Sequence, residues 1–335
     1  MKRIFITGSD GFIGSHLVNK LLIKNYKVTA LTYYNSFNDI GWLRYIDKKF
    51  KKNLKIVAGD VRDFNFINNL IKKSDIVIHL AALIGIPYSY KSPKSYIDVN
   101  VTGTFNILES SKNNNIKKVI ITSTSEVYGS AQKLPMDENH PLSAQSPYAA
   151  SKIGADQLSL SYFKTFNLPV VIIRPFNTFG PRQSMRAVIP TIINQFLKNK
   201  KNIFLGSVDT YRDFNFIDDI VDGFIKVVIS KNKKIFGEQI NLGTNKFYSI
   251  NEIVKFISSI SKKKYKLIKN KNERLRPKNS EVDKLLACNK KAIRLLNYSP
   301  KVVSKKSFFN ALKKTYNWYS INQNLPIYKT SDYIE

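Results

Sequence analysis

A doubly wound parallel α/β sheet carrying a second, smaller mixed α/β lobe is the fold class that this sequence predicts. Three observations predict it. Short apolar runs alternate with helical stretches up to Pro175, a glycine-spaced turn follows the first run, and the alternation breaks beyond Pro175. Strands separated by helices lie parallel, because each helix carries the chain back across one face before the next strand begins. Right-handed crossovers then cover both faces of the sheet, so its strands read as near-continuous apolar runs.

The runs are RIFIT (3–7), KVTALT (27–32), LKIVAG (54–59), DIVIHLA (75–81), KKVIITS (117–123) and PVVIIRP (169–175). Helices are expected between them at 12–24, 64–72, 94–113 and 147–166. After Pro175, helices at 188–199, 217–230, 249–260 and 304–318 mix with isolated strands near 203–205 and 238–242. The expected division is a nucleotide-binding domain over 1–175 with a return segment near 215–245, a substrate lobe over 176–214 and 246–323, and a tail over 324–335. No low-complexity linker separates the lobes, so they are expected to share a cleft at the carboxyl edge of the sheet. Open α/β sheets bind their ligands there.

The 335 residues are 43% hydrophobic and 23% charged, the balance of a globular chain able to bury a core. Cys288 is the single cysteine, which excludes an internal disulfide framework and points to a reducing compartment. The N-terminus runs straight into a strand, leaving no room for a signal peptide, and no apolar stretch is long enough to span a bilayer. A cytoplasmic protein is expected. The net charge of +30 is scattered over KKFKKN, KNKKN, KNKK and SKKKYK between ordered segments, with no aromatic-interleaved basic stripe. It reads as a solvated basic surface that attracts phosphorylated small molecules, with no nucleic-acid or membrane partner. His16, His79 and His140 are dispersed without metal-ligand spacing, so no metal is assigned.

TGSDGFIGSHL (7–17) joins the first strand to the first helix, with Gly8, Gly11 and Gly14 at Gly-x-x-Gly-x-x-Gly spacing. Glycines there permit a tight turn and close backbone approach, so a dinucleotide pyrophosphate can rest on the helix N-terminus, as in a Rossmann domain. Asp10, Phe12 and Ile13 lie in the same turn. Asp60 and Val61 of GDVRD, and Leu80, Ala81 and Ala82 of HLAA, are expected at the same edge. Asp60 either accepts from an adenine amino group or caps the next helix. At the end of the second strand an acidic residue would favour NAD and an arginine NADP. Thr32 stands there, so neither signal is present and this position leaves the choice open; NAD+ is expected, with NADP+ not excluded.

SPYAASK (146–152) sets Tyr148 and Lys152 one helical turn apart. Phenol is a poor base near neutrality, and an ammonium beside it stabilises the phenolate and lowers its pKa. Tyr148 would then take a hydroxyl proton as hydride leaves the same carbon for a nicotinamide. The plainer alternative is an amphipathic face with a snorkelling lysine. STSEVYG (123–129) closes the fifth strand and crowds Thr124, Ser125 and Glu126 at the same edge.

Together TGSDGFIG, HLAA, STSEVYG, YAASK and RPFNTFGPR resemble the extended short-chain dehydrogenase/reductase superfamily, which acts on nucleotide sugars, over nearly the whole chain. The resemblance implies that Thr124 bonds the sugar 4-hydroxyl, Tyr148 is the base and Lys152 positions both. It also implies that Asn100 supports the lysine. Asn177, Arg212 and Arg276 would contact diphosphate and sugar, with Val188 and Phe204 in the same pocket; arginines suit a diphosphate because they form forked, charge-assisted bonds. A homodimer through helices near 94–113 and 147–166 is implied as well.

Glu126 discriminates among the chemistries of that superfamily. A 4-epimerase needs no second base, whereas a 4-ketone acidifies the C5 proton, and a carboxylate beside it allows loss of the C6 hydroxyl as water. Glucose-type dehydratases usually carry aspartate where this chain has Ser125, and the Thr-Ser-Glu order also resembles GDP-mannose dehydratases and UDP-glucuronate decarboxylases. ALIGIPYSY (82–90), NTFGPRQSMRAVIPTII (177–193) and RLRPKNSEVDKLL (274–286) resemble the 4,6-dehydratases of bacterial legionaminic-acid biosynthesis, which act on GDP- or UDP-linked N-acetylglucosamine. A nucleotide-sugar 4,6-dehydratase for surface-polysaccharide synthesis is therefore expected. The decarboxylase, the 4-epimerase and a catalytically silent NAD(P)-sensing protein are the alternatives.

Overall fold

The computed structural model describes residues 2–269, 277–322 and Leu325. Its first half runs β1 (Arg3–Thr7), α1 (Phe12–Ile23), β2 (Lys27–Tyr33), β3 (Leu54–Gly59), α2 (Phe64–Ile71), β4 (Ile76–His79), α3 (Ile86–Lys91), α4 (Pro93–Tyr96), α5 (Gly103–Asn113), β5 (Lys118–Thr122), α6 (Pro147–Phe166) and β6 (Val170–Pro175). The second half adds β7 (Thr178–Phe179), α7 (Val188–Leu197), β8 (Asn202–Leu205), β9 (Tyr211–Arg212), β10 (Asn215–Phe216), α8 (Ile217–Ile229), β11 (Gln239–Leu242), β12 (Tyr248–Ser249), α9 (Ile250–Ser261), β13 (Lys266–Lys269), β14 (Lys284–Leu285), α10 (Lys290–Leu296) and α11 (Lys305–Asn322).

The central sheet has seven strands in the order β11-β6-β5-β4-β1-β2-β3, with parallel pairing throughout. The chain winds outward from β1 to β3, then restarts at β4 on the other side, so the order reverses between β1 and β4. That reversal opens a crevice at the carboxyl ends of the two strands. Alternation along β1 supplies both faces: Ile4 and Ile6 join a core with Leu17 and Phe224, while Phe5 joins another with Val77 and Ile107.

The smaller elements form parallel β8–β13 and β7–β10 pairs, and a three-stranded sheet in the order β12-β9-β14. Their apolar faces are not a separate core. Ile192 and Phe196 of α7, Ile253 of α9 and Phe308 of α11 pack in the same cluster as Leu17 and Phe224.

The helix expected over 94–113 is broken. A π-helical turn over Ile97–Thr102 separates α4 from α5, and the short α3 precedes them in the segment read as a motif. No proline interrupts 94–113, so side-chain bonding, described below, is what holds the wide turn. Arg276 and the tail over 326–335 lie outside the described residues.

Candidate active site

The cofactor cradle is built from the ends of β1 and β4. Gly8 has φ +63°, and a Cβ there would stand 2.7 Å from the Ala81 nitrogen; one at Gly14 would stand 2.1 Å from the Gly8 carbonyl oxygen. Those two glycines serve the chain's own packing. Gly11 does not: it is exposed, and a Cβ there would meet just the Gly8 carbonyl oxygen, at 3.4 Å. A glycine unneeded by the protein suits close approach of something else. It is also the N-cap of α1, which has no side-chain cap and no acidic residue in its first turn, so its amides are left for an anion. These residues fit a dinucleotide pyrophosphate.

Around the cradle, Thr7 Oγ1 accepts from the Leu80 and Ala81 amides at 3.2 and 3.1 Å, drawing the two strand ends together. Asp10 presents its carbonyl to the Trp42 amide at 3.1 Å, and burial pushes its carboxyl up. Phe12 and Ile13 open α1, partly buried against the core. Ala82 is half-buried just beyond Ala81. Asp60 is held low by Arg62, whose amide and guanidinium Nε it accepts at 2.8 and 3.0 Å. Asp60 does not cap α2; Asp63 does, accepting from the Phe66 amide. Asn106 on α5 reaches the Val61 carbonyl at 3.0 Å. Thr32 is 1% exposed, with its hydroxyl 3.5 Å from the Val57 carbonyl, so Tyr33 is the exposed side chain that ends β2.

The reacting groups come from the end of β5 and the start of α6. Beyond β5 the chain makes a 3-10 turn over Ser125–Tyr128, capped by Thr124 Oγ1, which accepts from the Glu126 amide at 3.2 Å. Helix α6 starts where Ser-Pro requires: Ser146 Oγ accepts from the Ala149 amide, and Pro147 takes the first turn, where no amide is needed. This places Tyr148 beside Thr124 and under the charge of Glu126, both of which act on its phenol. Glu126 is half-buried; Thr124, Ser125, Tyr148 and Lys152 are buried.

The Lys152 ammonium donates to the Thr122 carbonyl at 2.6 Å. Burial drives the Tyr148 phenol well up, the Thr124 bond opposes this, and Glu126, Tyr96 and Asp156 push further up. Burial brings Lys152 itself down to about 8, against the pull of Asp156. A cation bound against this site would supply the lowering that Tyr148 needs.

Asn100 sits at the π-turn, fully buried. Its Nδ2 donates to the Leu83 carbonyl and to Ser151 Oγ, both at 2.9 Å, and its Oδ1 accepts from the Leu83 amide at 2.8 Å. Ser151 in turn donates to the Tyr148 carbonyl at 2.7 Å. The bracing therefore reaches α6 through Ser151, the neighbour of the expected Lys152. Sequence reasoning missed the buried supports below: Asp156, one turn after Lys152, with Arg174 at its side, and His79 between Thr7 and Thr104. A charged residue inside an apolar run, as Arg174 is in PVVIIRP, was the available signal.

The expected substrate residues lie on the smaller elements. Asn177 precedes β7, and its carbonyl accepts from the Asn215 amide at 2.8 Å, while its buried Oδ1 makes no hydrogen bond among the described residues. Val188 opens α7 half-buried, and Phe204 on β8 is 42% exposed. Arg212 is buried, with Nη1 donating to the Tyr211 and Asp283 carbonyls at 3.0 and 3.1 Å and Nη2 at 3.4 Å from Glu281.

Residues 5–308 match the family model described as GDP-mannose 4,6 dehydratase. A dTDP-D-glucose 4,6-dehydratase of Dictyostelium discoideum is 37% identical over 276 residues, which span 78% of this chain and 62% of that relative. The crystal structure of DesIV, a dTDP-glucose 4,6-dehydratase from Streptomyces venezuelae with NAD bound, superposes with TM-score 0.83 at 27% identity, covering 96% of this chain and 98% of the other. UDP-glucuronic acid 4-epimerase from Bacillus cereus, with UDP-glucuronic acid and NAD, superposes with TM-score 0.84 at 30% identity, covering 94% and 98%. With the glycine cradle, the Thr-Tyr-Lys cluster and this match over most of its length, the chain belongs to the extended short-chain dehydrogenase/reductase family of nucleotide-sugar 4,6-dehydratases and 4-epimerases.

Proposed function

We propose that the protein is a nucleotide-sugar 4,6-dehydratase that takes GDP- or UDP-linked N-acetylglucosamine and forms the 4-keto-6-deoxy sugar. The observation that carries this reading is a meeting of side chains: the Thr124 hydroxyl and the Glu126 carboxylate both act on the Tyr148 phenol, with opposite effects on its pKa. Oxidation at C4 needs Thr124 and Tyr148. The carboxylate adds a base for a proton that becomes acidic only once C4 is a ketone.

NAD+ is the cofactor of this reading, as in both solved relatives. When bound it supplies an acceptor that takes hydrogen from C4 and returns it at C6. Tyr148 receives the C4 hydroxyl proton while Thr124 holds that oxygen, and Lys152 keeps a positive charge one turn along the helix. Glu126 then removes the C5 proton and passes it to the departing C6 hydroxyl, because Ser125 has no acidic proton to give, and C5 regains one proton, offsetting the one Tyr148 received, when hydrogen returns at C6. The region over 1–175 grips the cofactor, and the lobe over 176–214 and 246–323 holds the nucleotide, with Asn177 and Arg212 at the diphosphate.

A homodimer and a cytoplasmic location go with this reading. Ile97, Phe105 and Phe166 are exposed apolar residues on the segments expected to pair, and no described helix is long and apolar enough to cross a membrane. The rival is a 4-epimerase, which the comparable likeness to the Bacillus cereus enzyme favours.

Mass spectrometry of products from GDP-GlcNAc, UDP-GlcNAc and UDP-glucuronate tests the assignment. Loss of water from one GlcNAc donor is the expected result and identifies the nucleotide. Loss of CO2 from UDP-glucuronate would make the protein a decarboxylase, and isomerisation without mass change an epimerase.

A further inference from the structure

Asn279–Val282 belongs to a motif the resemblance singled out, and the proposed chemistry leaves it without a role. It lies between the two parts of the molecule and is anchored on both sides. Ser280, nearly buried, bonds Tyr90 Oη at 2.5 Å and donates to the Gln145 carbonyl, immediately before the cap of α6. Gln145 returns a bond to the Asn279 carbonyl at 3.2 Å. Val282 is 1% exposed in a core with Tyr128 and Phe176, and the Asp283 carbonyl accepts from the Tyr211 amide at 2.8 Å.

Glu281 is held between these anchors, yet its own side chain is 25% exposed. Its neighbours on both sides are anchored, and its carboxylate is partly open to solvent. That carboxylate faces Arg212 Nη2 at 3.4 Å, long for a charge-assisted bond, while Arg212 Nη1 is held by two carbonyls. Nη1 is thus held by two carbonyls, while Nη2 meets a partly exposed carboxylate at a longer distance. A phosphate oxygen approaching Nη2 would form a shorter and stronger bond.

We propose that Glu281 is an exchangeable counter-ion for Arg212, neutralising it until the diphosphate of the nucleotide sugar displaces the carboxylate, and so weakening nucleotide binding. It rests on the reading that Arg212 faces that diphosphate. The carboxylate adds a negative charge beside this buried cation in the absence of substrate. It also opposes binding, because the incoming phosphates must break the pair and approach a negative group.

Calorimetry of UDP and GDP against NAD+-saturated protein tests this, since saturation removes the cofactor's own phosphates as competitors. Glu281→Gln keeps the shape and removes the charge, and should tighten the better-bound diphosphate on the order of tenfold. KM for the nucleotide sugar should fall in parallel. Arg212→Gln should weaken the same binding. If Arg212→Gln weakens it and Glu281→Gln leaves it unchanged or weaker, the counter-ion proposal is overturned and the diphosphate reading stands. If Arg212→Gln has no effect, or neither diphosphate binds the unaltered protein, both fall. Should Arg212→Gln not fold, uridine and guanosine decide: the Glu281→Gln gain must vanish for a nucleoside without phosphates, and a gain that persists overturns the proposal.

Discussion

Asp156 and Arg174 face each other in the interior, Oδ2 lying 2.9 Å from Nη2 and 3.1 Å from Nε, with side chains 0% and 1% exposed. Ser123 donates to the same carboxylate oxygen at 2.8 Å. Asp156 therefore ties the helix that carries Tyr148 to β6 through Arg174, and to the strand end that carries Thr124 through Ser123. Removing one partner strands the other charge in a medium that solvates it poorly. Arg174→Met is expected to destabilise the fold by about 3–5 kcal/mol in urea unfolding. Adding Asp156→Leu to that variant should recover part of the loss; a further additive loss would show that the two residues do not act as a pair.

The site chemistry separates into two steps with different owners. Tyr148→Phe should lower C4 oxidation by roughly 10²–10⁴-fold, because the hydroxyl proton then has no acceptor. Glu126→Gln should leave C4 oxidation visible as enzyme-bound reduced cofactor absorbing in the near ultraviolet, and stop the loss of water. Full dehydratase turnover in Glu126→Gln would remove the carboxylate from the mechanism.

The three glycines of the cradle are expected to fail in different ways. An alanine at Gly8 or Gly14 collides with backbone at 2.7 or 2.1 Å, and should lower the melting temperature by several degrees. Gly11→Ala meets one atom at 3.4 Å, so the fold should survive while NAD+ binding weakens. Thermal unfolding beside a cofactor titration distinguishes the cases. Undiminished cofactor affinity in Gly11→Ala would argue against close approach there.

His79 makes stability depend on pH. Thr104 donates its hydroxyl proton to the Asn100 carbonyl at 2.6 Å, so it accepts from His79 Nε2–H at 3.2 Å. Nδ1 then accepts from Thr7 Oγ1 at 2.7 Å, and the ring is neutral. Burial, helped by the nearby Lys152 charge, takes its pKa down to about 3 from 6.5. Between those values the unfolded chain binds a proton that the folded chain refuses. Its contribution is therefore complete above 6.5 and declines as pH falls towards 3. His16, brought to about 4 by burial and by Arg182, acts in the same direction. In His79→Gln the fall in urea midpoint from pH 7 to pH 5 should be shallower than in the parent. An equal fall would assign the acid sensitivity to other groups.

Much of this was legible along the chain. The apolar runs found β1 and β3 at their full lengths and the rest to within a few residues, because burial on two faces leaves a local imprint in each strand. The turn of α1 and the start of α6 were legible for a related reason: a glycine at a positive φ and a Ser-Pro cap act on their immediate neighbours.

The local sequence determined the strands, the helices, the glycine turn, and that Tyr148 and Lys152 share a helix face. The tertiary structure decided which strand lies beside which, and so where the crevice opens. It decided that Lys152 bonds Thr122, that a helix widens at Asn100 to reach Leu83 and Ser151, and that Glu281 meets Arg212 across 69 residues. Each of these is a bond between residues far apart in sequence, and its partner is chosen by which segments the sheet brings to one edge. Periodicity and spacing describe only a residue's own turn or strand.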